Sequence, residues 1–222
     1  MSEILDGFKE RLNSDDLGVR MKALSDSRSL GVSDRFVLAA IASGDRNARV
    51  RYDAVSQLST IGNQDLEKSL AILSDRLLTD PENDVRAAAA DSIGALKLTA
   101  AFDSLKHAYE TTNDWMMQFS VVAALGELGD PKGLELLTTA LHNPNDLVKI
   151  AAIGALGDLG DPAAIDLLLP FVENTDWQMR HRVAQSLGQL GGDRAKAALE
   201  KLAQDPAEQV ADSAKLTLAA MQ

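Results

Sequence analysis

The chain has 222 residues, 45% hydrophobic but only 4% aromatic, and no cysteine, so a disulfide framework, a thiolate metal site and a cysteine nucleophile are all excluded. Its 22 basic and 33 acidic residues leave a net charge of −11 at pH 7, which opposes nucleic acid and anionic membranes as partners. No stretch approaches the roughly 20 apolar residues that span a bilayer, and the first ten residues have no apolar run suited to a signal peptide, so a cytoplasmic protein without membrane insertion is expected.

An internal repeat organises everything that follows. The pattern V-R-x-x-A-x-x-x-L-x-x-[LI]-G can be anchored at Val19, Val50, Val85, Met117, Val148, Met179 and Val210, with successive spacings of 31, 35, 32, 31, 31 and 31 residues. The fifth position stays small or β-branched, and the ninth is Leu or Ile everywhere except Ser27 of the first repeat, as befits a capping unit. Each period predicts two helices. The anchors begin the inner ones. The outer ones are predicted at Ser2–Leu12, Ser33–Ala42, Asp65–Thr79, Thr99–Thr111, Pro131–His142, Pro162–Asn174 and Asp193–Gln204.

Turn chemistry agrees with these boundaries. Gly129-Asp130-Pro131 and Gly160-Asp161-Pro162 each join a glycine stop, an aspartate cap and a helix-opening proline. Asp80-Pro81, Asn143-Pro144 and Asp205-Pro206 mark turns inside repeats. One helix pair cannot bury its apolar stripe alone, whereas stacked pairs can. The expected fold is all-α: a right-handed α-solenoid of about seven two-helix repeats, forming a single domain over residues 1–222.

Several columns of the repeat bear on function. The second position holds Arg20, Arg51, Arg86, Lys149 and Arg180, with Asp16, Asn47, Glu82, Asn145 and Asp176 four residues before them. This column reads as a cationic stripe or as a ladder bridging neighbouring turns and carbonyls; recurrence with the period favours the ladder. Gly94, Gly126, Gly157 and Gly188 at the tenth position cost helix stability. Close backbone approach, or a need for an open surface, would compensate.

On a helical wheel, positions 3, 7 and 10 point away from the core stripe. They place Tyr52, Asp91, Phe119, Ile150 and His181 on one exposed, largely uncharged face, with Asp53 and Arg182 beside it. An exposed apolar face on an acidic protein marks a binding surface. Trp115 and Trp177 share one slot just before their anchors, where other repeats hold Leu17, Ala48, Asn83, Asp146 and Glu208. They read as rim anchors for a partner or planar ligand, or as rings folded over their own turns. His181 and Arg182 can receive carboxylates, or simply form a solvated basic face. His107, His142 and His181 lie in different repeats without metal-ligand spacing, so no metal is expected. Asp53 and Asp91 face the groove and can donate or accept protons, or are simply solvated carboxylates, and no catalytic motif is visible.

The inner-helix motif at Val85–Leu96, Met117–Gly129, Val148–Gly160 and Met179–Gly191 resembles the HEAT-like units called phycobilisome-lyase repeats. More specific are V-R-Y-D-A-V-S-Q-L from Val50, D-V-R-A-A-A-A-D-S-I-G-A-L-K-L-T from Asp84 and D-W-M-M-Q-F-S-V-V-A-A-L-G-E-L-G-D-P from Asp114. With the seven-repeat length, these are similar to the cyanobacterial phycobilisome-degradation proteins of the non-bleaching B group, relatives of the E/F-type bilin lyases.

The resemblance implies a cytosolic protein that engages phycobiliproteins, phycocyanin or allophycocyanin, while the antenna is dismantled, with phycocyanobilin as a ligand and no cofactor of its own. It also implies two alternatives: a bilin lyase that attaches or detaches phycocyanobilin, and an assembly adaptor for iron–sulfur carrier proteins, after a HEAT-repeat relative. Without cysteine, any contact with bilin or cluster is non-covalent. No catalytic residues transfer with the resemblance.

Overall fold

A computed structural model describes residues 3–221. Among them there are fourteen α-helices and no strand, and the fold class is an all-α HEAT-type solenoid of paired helices. The chain divides into two compact units, one ending at Val121 and the other beginning at Val122.

The first unit holds α1 (Glu3–Leu12), α2 (Leu17–Asp26), α3 (Val32–Ala42), α4 (Ala48–Ile61), α5 (Leu66–Thr79), α6 (Asn83–Ala95), α7 (Phe102–Thr111) and the opening turns of α8 (Trp115–Leu128). The second holds the end of α8, then α9 (Gly133–Ala140), α10 (Asp146–Leu159), α11 (Ala164–Leu168), α12 (Trp177–Leu190), α13 (Gly192–Leu202) and α14 (Glu208–Ala220). The even-numbered helices are the predicted inner ones. Within the units, α2, α4 and α6 pack in succession, as do α10, α12 and α14.

The first predicted outer helix begins at Glu3, since Ser2 lies outside the described residues. Three outer helices are shorter than predicted: α7 starts at Phe102 after a 3-10 turn over Thr99–Ala101, and the other two follow prolines. After Pro131 and Pro162 the chain makes a turn of i to i+3 bonds (Leu134 N to the Pro131 carbonyl, Ile165 N to the Pro162 carbonyl), and the α-helices start at Gly133 and Ala164. Helix α11 stops at Leu168 and continues as a 3-10 turn over Leu169–Glu173. Pro170 has no N–H to offer the Asp166 carbonyl, so the α-helical ladder cannot run through it.

The anchors form the core. Val50, Val85, Met117, Val148 and Val210 are fully buried and Met179 nearly so, but Val19 is 37% exposed. In that first pair Leu17 and Met21, on either side of Val19, pack on the core instead. Gly126, Gly157 and Gly188 sit between helices rather than on an open surface. A Cβ on Gly126 would lie 2.7 Å from Ala155 Cα, and one on Gly157 would lie 2.8 Å from Ser186 Cα. Backbone approach is therefore the reason for glycine at 126 and 157, whereas a Cβ on Gly188 would meet only the side chain of Thr217.

The thirteenth position closes α8, α10 and α12, and its equivalent closes α6. Gly129, Gly160 and Gly191 all take left-handed φ near 70°, and the equivalent residue after α6 is Lys97, with φ 52°. There the Leu98 amide reaches back to the Ile93 carbonyl at 3.1 Å, a Schellman closure that demands this conformation. A left-handed side chain costs roughly 1–2 kcal/mol, and glycine's extra freedom when unfolded returns roughly 0.4–1 kcal/mol of that. Lys97→Gly is thus expected to stabilise the protein by about 0.5–1 kcal/mol, read as a rise in Tm of a few degrees. A fall in Tm would contradict this account of the closure.

Each inner helix is preceded by a double turn. Ser14, Asp45, Asp80, Thr112, Asn143, Asn174 and Asp205 each accept, through the side chain, the amide of the residue two positions on, at 2.7–3.2 Å. That next residue then caps the helix where it can: Asp16, Asn47, Asp114, Asn145 and Asp176 accept first-turn amides.

The second-position basic column is anchored on these same turns. Arg20 donates to both carboxylate oxygens of Asp45 at 2.8 and 3.3 Å, Arg51 to Asp80 at 2.7 and 2.8 Å, and Arg180 to Asp205 at 2.6 and 2.8 Å. Each also donates to a carbonyl of its own preceding turn: Ser14, Asp45 and Asn174 respectively. The column is therefore the ladder. Its acidic partners lie in the following repeat, because the polar residues four positions upstream open the helices.

Where the following slot is not an acid, the bond changes. Arg86 donates to the Leu77 carbonyl, and Lys149 pairs with Asp146 on its own helix.

Candidate functional site

The predicted face is described unit by unit. In the first unit the third-position residues Met21 and Tyr52 and the start of α6 enclose a cavity of about 350 Å³. Its floor is Met21, Ala48, Tyr52 and buried Val85, and its charged rim is Arg49, Asp53, Glu82 and Asp84. Tyr52 is 48% exposed, so its ring is open to a ligand. Asp53 is held by Arg28 in an ion pair at 3.0 Å.

Asp91 is exposed on the seventh position of α6. Trp115 and Phe119, four residues apart on α8, share one face and are each about 40% exposed. The turn beneath them is firmly built. Asp114 accepts the amides of Met116 and Met117 and the side-chain amide of Asn83. These bonds, that of Met117 first, hold its carboxyl below the usual aspartate range.

In the second unit Trp177 meets His181 edge-on, with ring centroids 6.5 Å apart and planes at 68°. Trp177 is 42% exposed. The Asp176 cap and the Arg180–Asp205 pair fix the turn that carries it.

Arg182 lies across the backbone of Gly154 on the neighbouring α10. A Cβ at residue 154 would fall 2.6 Å from Arg182 Nε and 2.8 Å from its Cζ. Its side-chain bond runs to Gln185 at 3.2 Å, and it makes no carboxylate pair among the described residues. Ile150, one turn before Gly154, is half-buried.

The structure thus pairs Tyr52 with Asp53 in one cavity lining, Trp115 with Phe119 on one helix face and Trp177 with His181, whereas Arg182 turns toward Gly154 and Gln185. Sequence reasoning missed Gly154 as the bed of Arg182, and Arg49, Glu82 and Asp84 as cavity wall. The first had a signal, since Gly154 is the only glycine at the seventh position. The others stand before their anchors, outside the columns assigned to the face. No group of three or more His, Asp or Glu that could hold a metal occurs among the described residues. No described helix is long and apolar enough to cross a membrane.

HEAT repeats match the sequence over residues 5–94, 37–118, 70–156 and 134–219, and the chain belongs to the HEAT-repeat family. No curated protein matches it in sequence. Among solved structures it is similar to the complex of CpcE and CpcF of phycocyanin lyase from Nostoc sp. PCC7120, with TM-score 0.62 and 21% identity over 100% of this chain and 96% of that one. It is also similar to YibA of E. coli, with TM-score 0.58 and 16% identity over 99% and 93% of the two chains. Human deoxyhypusine hydroxylase matches at TM-score 0.43 and 20% identity over 99% and 96%, too loosely to bear on function. At these identities the likenesses concern the fold.

Proposed function

We propose that this protein binds a phycobiliprotein together with its phycocyanobilin on the inner-helix face, as a non-catalytic member of the phycobilisome-degradation group, acting in the cytoplasm. The observation that carries the reading is the arrangement at the start of α12. An exposed indole with an imidazole beside it, and a guanidinium that meets no carboxylate among the described residues, lie along about one and a half turns of α12. A linear tetrapyrrole is a long conjugated plane bearing two propionates. It needs an aromatic or apolar platform and a cation, and an arginine can grip a carboxylate through two bonds.

Free phycocyanobilin is therefore expected to quench tryptophan fluorescence. Arg182→Glu should weaken its binding by roughly 1.5–3 kcal/mol, the worth of a hydrogen bond to a charged group. Gly154→Ala should weaken it too, because the new Cβ would push the guanidinium off its bed. Arg20→Glu should lower stability and leave affinity alone, since Arg20 is buried in the ladder. Equal affinity for wild type and Arg182→Glu, or absence of quenching at saturating bilin, would remove the bilin from this reading.

The likeness to the CpcE–CpcF lyase supports a second reading. In it the protein promotes addition of a partner's thiol S–H across a double bond of the bilin, or the reverse elimination, with no oxidant or reductant involved. Incubation with chromophorylated and apo-phycocyanin separates the two. A stoichiometric complex with unchanged absorbance supports the scaffold, and turnover of the chromophore supports the lyase. Neither result would overturn both and leave an assembly adaptor, for example for iron–sulfur carriers.

A further inference from the structure

We infer that the cavity between α2, α4 and α6 is a docking site for a lysine or arginine side chain of a partner protein, presented beside an apolar residue. Two features of the cavity carry this. Its floor of Met21, Ala48, Tyr52 and Val85 is apolar, and Tyr52 offers an exposed aromatic face. Glu82 and Asp84 stand on the α6 wall and make no ion pair among the described residues, whereas Asp53 is already met by Arg28.

With Asp53 met by Arg28, the lining keeps two carboxylates, Glu82 and Asp84, against one guanidinium, Arg49, on a protein whose net charge is −11. A lysine or arginine matches both halves of this site. Its aliphatic stem covers apolar surface while its head reaches the carboxylates, and the ring of Tyr52 attracts the cation. The volume of about 350 Å³ suits one long side chain and an apolar neighbour, at the small end of ligand-sized cavities. The bilin is the wrong occupant here, because its propionates would meet Glu82 and Asp84. The site is therefore chemically distinct from the Arg182 region and holds whether or not bilin binds there.

The test uses a fluorescein-labelled peptide, acetyl-Gly-Ser-Leu-Lys-Leu-Arg-Gly-Ser-amide, and its counterpart with glutamates in place of Lys and Arg. Affinity is read by anisotropy, and the site by amide shifts in the ¹⁵N-labelled full chain. The cationic peptide should bind at least about tenfold more tightly than the acidic one, a difference of 1.4 kcal/mol. Its shifts should centre on Tyr52, Glu82 and Asp84. Glu82→Gln with Asp84→Asn should lower its affinity by about tenfold, and Tyr52→Ala should lower it independently. All these side chains are exposed, so Tm should stay unchanged. Equal binding of the acidic peptide, undiminished binding to the double variant, or shifts centred elsewhere would overturn the proposal.

Discussion

Arg51→Met is expected to destabilise the protein by about 3–5 kcal/mol, because it strands the Asp80 carboxylate as a charge without its principal partner. Asp80 has no exposed side-chain surface, and both its oxygens are bound by Arg51. Arg76, at 3.2 Å, offers partial relief and draws the cost toward the lower end of the range. Lys149→Met at the equivalent position should change stability by less than about 1 kcal/mol, because the Lys149–Asp146 pair involves a largely exposed carboxylate. Urea unfolding followed by helical ellipticity checks both.

The same pair sets a dependence on acid. Burial pushes the Asp80 carboxyl up, but the Arg51 hydrogen bond, the Glu82 amide and the charges of Arg51 and Arg76 outweigh it and hold the group below the ordinary 3.8. Asp205 is held down mainly by its bond from Arg180. A carboxyl whose folded pKa is depressed stabilises the fold above its unfolded pKa, and that contribution is lost as pH falls through the folded value. Wild-type stability should therefore stay level from pH 8 to about pH 5 and fall below about pH 4. The gap between wild type and Arg51→Met should narrow over that fall, since protonation of Asp80 removes the stranded charge. A gap that is constant with pH would show that the lost contribution is packing and not charge.

Gly157→Leu is the second large effect. Its Cβ would fall 2.8 Å from the Cα and Cβ of Ser186, whose hydroxyl donates to the Ile153 carbonyl at 2.8 Å. Overpacking of this kind costs roughly 1–3 kcal/mol, and loss of the serine bond adds roughly 1 kcal/mol. Gly188→Leu should cost less, because the nearest atoms there all belong to the side chain of Thr217, which can turn aside. If both variants kept wild-type stability, the glycines would not be packing devices.

The repeat period made the helix pairs and six of the seven core anchors legible, because burial on one helix face imposes a pattern that can be counted. Val19 escaped this logic: its column is apolar in every repeat, and nothing local distinguishes the one member whose neighbours Leu17 and Met21 do the packing. The short α11 was in principle readable from Pro170, but the apolar run of that segment outweighed it.

The ladder was legible as a column but not in its partners. Arg51 reaches Asp80, 29 residues away, while Asn47, four residues before it, offered a nearer pairing. Trp115, Trp177 and Tyr52 are exposed in the structure. The bed of Arg182 on Gly154 depends on how two helices cross, which residue spacing along one helix does not encode.

In the double turns, a single aspartate both closes its own loop and grips the arginine of the repeat before it. Asp45, Asp80 and Asp205 each do so. Loop closure in one repeat and attachment to the previous one are then a single event, so neither repeat can open alone. In a chain of nearest-neighbour units, this raises coupling between units without raising the intrinsic stability of either. Amide hydrogen exchange should accordingly show α2 with α4, α4 with α6, and α12 with α14 opening together. By contrast α10, whose Lys149 holds only Asp146 on its own helix, should open without carrying the turn at Asn174 with it.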